Sequence, residues 1–115
     1  MPTQELDLVR GTFDLIILKT LSWGPMHGLG VLRWIEDVTK QRLQIEEGAL
    51  YPALHRLEQK GWLDAEWGYT ENNRKAKYYE LTRAGRQQLR TEVSSWERYV
   101  EAVSKALRAP SPRLA

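Results

Sequence analysis

Near the C-terminus the apolar residues Leu89, Val93, Trp96, Val100, Val103 and Leu107 follow one another at spacings of 4, 3, 4, 3 and 4. This is a heptad seam, narrower than the stripe with which an ordinary surface helix meets its own core. Thr82 is a favoured N-cap, and Pro110 and Pro112 stop the run, so residues 82–109 are expected to form one helix of about 26 residues. At 1.5 Å per residue it spans roughly 39 Å, longer than a domain made from the rest of the chain is wide. Its far end has nothing in the same chain to bury against. The chain is therefore expected to be a homodimer, with the six seam residues as the dimerisation surface and the helix paired with its symmetry mate or with the partner's first helix. Residues 110–115 are expected to be a flexible tail.

Upstream, residues 6–21 place Leu6, Val9, Phe13, Ile16, Ile17 and Leu21 on one helical face, and the Gly-Pro step at 24–25 ends that helix. Leu29, Leu32, Ile35 and Val38 mark a second helix over 27–39. Leu50, Leu54 and Leu57 mark a third over about 46–60, closed by Gly61. After Gly61 the period shortens to that of strands. Residues 62–67 and 77–81 read as a β-hairpin joined by GYTENNRKA, whose Gly, Asn-Asn and charges make a solvated basic tip. The fold class is thus mainly α with a small β-hairpin: three helices and a hairpin over residues 1–81, then the long helix.

Composition removes several functions. With no cysteine there is no disulfide, iron–sulfur cluster or thiolate zinc site, and His27 and His55 are too few for a metal cluster. No catalytic residues, metal or cofactors are expected, since no phosphate-binding glycine loop and no serine paired with a base are evident. The longest aliphatic run, Leu15–Leu18, is far too short for a membrane span. A cytoplasmic location without membrane contact is expected. Charge is unevenly placed: residues 1–66 hold 7 Lys/Arg against 10 Asp/Glu, and residues 67–115 hold 10 against 5.

Three helices followed by a hairpin is the order of a winged helix-turn-helix, whose third helix enters the DNA major groove while the hairpin, or wing, lies along the neighbouring backbone or minor groove. That order gives the basic residues a reason for their position. Arg74, Lys75 and Lys77 fall at the tip of the wing (62–81) and its exit, and six bases face two acids between Tyr69 and Arg90. At 100° per residue, Leu54 and Leu57 lie within about 40° of Leu50, whereas Tyr51, Pro52, His55 and Arg56 turn away from that stripe. Hydroxyl, imidazole and guanidinium groups in such places can meet phosphates and base edges. Pro52 lacks an N–H and presses on the carbonyl of Gly48, a cost expected to distort the helix locally without breaking it.

The stretches LSWGPMHG, GALYPALHRLEQKGWL and KYYELTRAG, in this order, resemble the PadR family of bacterial transcriptional regulators over about residues 12–108. The resemblance implies a dimeric repressor that binds an inverted repeat in double-stranded DNA and is released by a small molecule. It implies that Tyr51 faces DNA, that Arg74, Lys75 and Lys77 belong to the wing, and that Tyr78 and Tyr79 are structural, one packed under the wing and one facing out. The chain departs from the family in having Leu29-Gly30 where Tyr-Glu is common, and Glu46-Glu47 where the third helix often starts with serine. The two glutamates suit the positive end of a helix but repel a phosphate there, so phosphate contacts are expected further along.

Trp96 has two readings: dimer core alone, or, near the two-fold axis, the wall of a flat pocket for a planar aromatic effector, with Val93, Val100 and Phe13 as further walls. For the whole chain, the competing reading is a winged-helix module that binds RNA or a protein partner.

Overall fold

The computed structural model describes residues 11–112, so Leu6 and Val9 of the expected first helix lie outside the described residues. Helix α1 (Thr12–Leu21) begins behind Gly11, whose φ of 91° is open to glycine and turns the chain out of helical geometry. Strand β1 (Met26–His27) leads directly into α2 (Gly28–Val38), where His27 is the N-cap and its Nδ1 accepts the Gly30 N–H at 3.1 Å. Helix α3 (Glu47–Gln59) follows, and Gly61 (φ 79°) closes it in the left-handed region. Strands β2 (Leu63–Tyr69) and β3 (Lys75–Leu81) form the wing. The long helix α4 (Arg83–Arg108) runs 26 residues with Thr82 as its cap, the Thr82 hydroxyl accepting the Gly85 N–H at 3.0 Å.

The expected winged helix-turn-helix is present, with two differences. The sheet has three antiparallel strands in the order β1-β3-β2, because Met26 and His27 pair with Tyr79 and Tyr78. A two-residue strand has no alternation to read, and its partners lie far away in sequence. The hairpin is also longer than expected: Gly68 and Tyr69 pair with Ala76 and Lys75, leaving only Thr70–Arg74 as the tip. There the Thr70 N–H donates to the Arg74 carbonyl at 2.8 Å, and Asn73 (φ 57°) makes the reversal. Polar residues extend a solvated ribbon as readily as they form a loop, so composition placed its end too early.

The core is built where the sequence stripes meet. Ile17, Leu18 and Leu21 of α1, Val31 and Ile35 of α2, and Leu50, Leu54 and Leu57 of α3 are all fully buried, and Leu63, Tyr79 and Leu81 close the cluster from the sheet. Helix α4 contributes Gly85, which is buried, and Leu89, which packs against the cluster. Beyond Leu89 the seam leaves the domain: Trp96, Val100 and Val103 are exposed, and Leu107 is 81% exposed. The radius of gyration, 17.4 Å, exceeds the roughly 13 Å of a compact domain this long, as a projecting helix requires.

Gly85 is where α4 touches the root of the wing. A Cβ there would stand 2.1 Å from the Trp62 carbonyl oxygen, which also accepts the Thr82 N–H at 3.1 Å. Gly85→Ala should therefore destabilise the fold by about 2 kcal/mol, overpacking outweighing the better helix propensity of alanine. The denaturant midpoint of the variant measures this.

Candidate nucleic-acid interface

Burial of Leu50, Leu54 and Leu57 fixes the rotation of α3, so Gly48, Tyr51, Pro52, His55, Arg56 and Gln59 are exposed along its outer face. Pro52 lies inside an uninterrupted helix, consistent with a local cost borne without a break. The Tyr51 ring reaches back over the first residue of α2: a Cβ on Gly28 would lie 2.6 Å from Tyr51 Cε1. Tyr51 thus rests in the angle between α3, the start of α2 and the wing. It shares there a groove of about 420 Å³ with His27, Trp67, Arg74, Lys75 and Lys77.

The basic residues divide by partner. Among the described residues Arg74 and Lys75 form no ion pair, and the Lys75 ammonium stands 5.2 Å over the Trp67 ring. Lys77 is tied back instead: its Nζ donates to Glu58 Oε1 at 3.1 Å, bracing the wing against the last turn of α3. Arg56 is turned away from the groove, its Nη2 donating to Asp14 Oδ1 on α1. Of the residues expected to meet DNA, Tyr51, Arg74, Lys75 and Lys77 line one groove. Pro52 and His55 lie on the exposed face of the same helix, and Lys77 and Arg56 act as struts. Tyr79 is buried, and Tyr78 stands edge-on to His27 at 5.4 Å between ring centroids.

Sequence reasoning missed Gly28, Glu58 and the placement of Trp67. The alternation Leu63, Ala65, Trp67, Tyr69 was the available signal for Trp67, whereas the contact of Gly28 with Tyr51 depends on two distant helices meeting. Along α4 the expected effector walls are not assembled within one chain. Trp96 lies beside Tyr99, with centroids 6.1 Å apart, and shares a groove of about 470 Å³ with Thr12, Leu15, Glu92 and Ser95. Val93 lines a separate groove with Lys19, Leu89 and Arg90, Phe13 packs against the core, and Val100 is exposed further along the seam. Among the described residues no group of three or more His, Asp or Glu side chains is placed to hold a metal ion, and no helix is long and apolar enough to cross a membrane.

Two titrations belong to this region. The hydrogen bond to Glu58 raises the Lys77 pKa above its ordinary 10.5, and burial raises that of Tyr79 above 10.0. Both groups hold their protons more tightly in the folded chain, so their contribution is complete below about pH 10 and is lost as pH rises through the raised values. Unfolding free energy should decline above about pH 10, with a smaller decline in Glu58→Gln; denaturant unfolding across pH checks this. Separately, Gly28→Ala should push the Tyr51 ring out of its angle. A stability change under about 1 kcal/mol is expected, since the ring is free to swing into solvent, with a clear loss of affinity in a duplex gel shift.

A family model described as the PadR-like transcriptional regulator family matches residues 17–91. An uncharacterized protein of Lysinibacillus sphaericus is 32% identical over 97 residues, covering 84% of this chain and 89% of that one. A solved transcriptional regulator from Clostridium thermocellum superposes with a TM-score of 0.78 at 30% identity, covering 87% of this chain and 97% of that one. A solved PadR family transcriptional regulator from Eggerthella lenta gives 0.77 at 31%, covering 88% and 86%.

Proposed function

The chain belongs to the PadR-like family of transcriptional regulators, and from that premise we propose that it is a homodimeric repressor of an inverted-repeat operator, released by a small planar aromatic effector. The family consists of DNA-binding regulators rather than enzymes. The observation that carries the reading is the groove in which Tyr51 of α3 faces Arg74 and Lys75 of the wing. Helix α3 enters the major groove, with His55 near base edges and the Tyr51 hydroxyl at a phosphate. Arg74 and Lys75, having no ion pair among the described residues, hold the neighbouring backbone. Glu46 and Glu47, exposed at the start of α3, keep phosphate away from that end.

The dimer follows from the seam. Trp96, Val100, Val103 and Leu107 leave an apolar stripe in water that a second copy of α4 covers. Two-fold pairing then sets the recognition helices about one helical turn, roughly 34 Å, apart. In this arrangement Val93 and Val100 of the same seam stand beside Trp96 at the subunit interface, where they would wall the effector pocket.

Replacing Arg74 and Lys75 together with alanine should weaken binding to every duplex and lower the slope of log affinity against log salt by about 2, whereas His55→Ala should hurt the specific site more than random DNA. Binding unchanged in both variants would remove the site assignment, and preference for single-stranded RNA would favour the competing RNA-binding reading. Placing lysine at both Val103 and Leu107 should give monomers in analytical ultracentrifugation and loss of specific binding. For the effector, titration of planar aromatic compounds should quench tryptophan fluorescence in the unaltered protein and lose that response in Trp96→Ala. Equal binding by both would exclude Trp96, with Trp23, Trp34, Trp62 and Trp67 reporting the background signal.

A further inference from the structure

The wing carries residues that the backbone contacts above leave unused. Successive strand residues point to opposite faces. The registered pairs Leu63–Leu81, Ala65–Tyr79, Trp67–Lys77 and Tyr69–Lys75 therefore share one face, and Asp64–Glu80, Glu66–Tyr78 and Gly68–Ala76 share the other. The first face starts in the core, where Leu63, Tyr79 and Leu81 are buried, and ends in solvent, where Trp67 is 62% and Tyr69 is 66% exposed. It carries Lys75 and Lys77, whereas the second carries Asp64, Glu66 and Glu80 and no basic residue. A polyanion is attracted to one side of this ribbon and repelled from the other.

The exposed rings stand on ordered backbone. The Tyr78 hydroxyl donates to the Tyr69 carbonyl at 3.1 Å, and the Tyr78 ring lies across Gly68, where a Cβ would be 3.2 Å from its Cδ2. The tip is closed by the Thr70–Arg74 bond, and the Arg74 N–H donates to the Thr70 hydroxyl at 3.2 Å. Trp67 borders the same groove as Tyr51, Arg74 and Lys75. Two large rings two residues apart, held out beside Arg74 and Lys75, which form no ion pair among the described residues, are placed to meet a surface that is both anionic and apolar.

We propose that Trp67 and Tyr69 are DNA contacts, laid against the deoxyribose rings and base edges of the minor groove beside the site read by α3. This inference rests on the duplex-binding reading and deepens it: the aromatic pair supplies affinity that carries no charge, next to phosphates held by Arg74 and Lys75. The two contributions respond differently to salt. Releasing a counterion steepens the salt dependence, whereas apolar contact with sugars and base edges does not.

The test measures binding to a pool of random-sequence duplexes across a salt series, with thermal melting to confirm that each variant folds. Trp67→Ala with Tyr69→Ala should lower affinity about tenfold or more at every salt concentration without changing the slope. Trp67→Phe with Tyr69→Phe should retain most of the affinity, and Lys75→Ala should lower the slope by about 1. Salt-dependent binding by the unaltered protein that the double alanine variant matches would overturn the aromatic contact while leaving the wider reading intact. Single-stranded DNA bound as tightly as duplex through the same two rings would overturn the minor-groove assignment. No duplex binding by the unaltered protein would remove the wider reading, and this inference with it.

Discussion

The packing of Leu50, Leu54 and Leu57 against α1, α2 and the root of the sheet is the contact on which the rest depends. These side chains are fully buried, and burying a leucine contributes roughly 1.5 to 3 kcal/mol. Rotating α3 by one residue, about 100°, would drive Tyr51 or His55 into that site and expose a leucine. The same burial that stabilises the domain therefore selects the outward face of the helix. The ion pairs refine this. Asp14–Arg56 and Glu58–Lys77 are both partly exposed, and such pairs are worth at most about 1 kcal/mol, so they brace an orientation that the leucines have already set.

Because α3 is braced to α1 by Arg56 and to the wing by Lys77, the two parts of the interface are joined to one core. α1 also contributes Thr12 and Leu15 to the groove beside Trp96. A shift of α3 within its own core is a costly response to any contact made at α1. That follows from close packing, since a buried leucine stripe cannot slide by part of a turn without leaving voids.

Much of this was legible in the sequence, because its largest features are periodic. The leucine stripe, the change of period after Gly61 and the heptad seam gave three helices, a wing and a projecting α4, and the Thr82 cap stands where side-chain chemistry places it. What was not legible depends on contacts between distant segments. Strand β1 exists because Met26 and His27 find Tyr79 and Tyr78. The ion pair of Arg56 with Asp14, 42 positions away, is likewise a contact that no helical projection shows. Which groove each apolar residue lines within one chain also depends on how α1 crosses α4: Phe13 of the α1 stripe packs against the core, while Val93 and Trp96 of the α4 seam line separate grooves.

The central claim is that one rigid interface, α3 with its wing, is presented twice by a two-fold α4 pair. Selection of bound duplexes from a random-sequence pool tests it most directly. The predicted product is an inverted repeat whose half-site centres lie about one helical turn apart, roughly 10 base pairs. Enrichment of a single unrepeated half-site, of direct repeats, or of no sequence at all would contradict it.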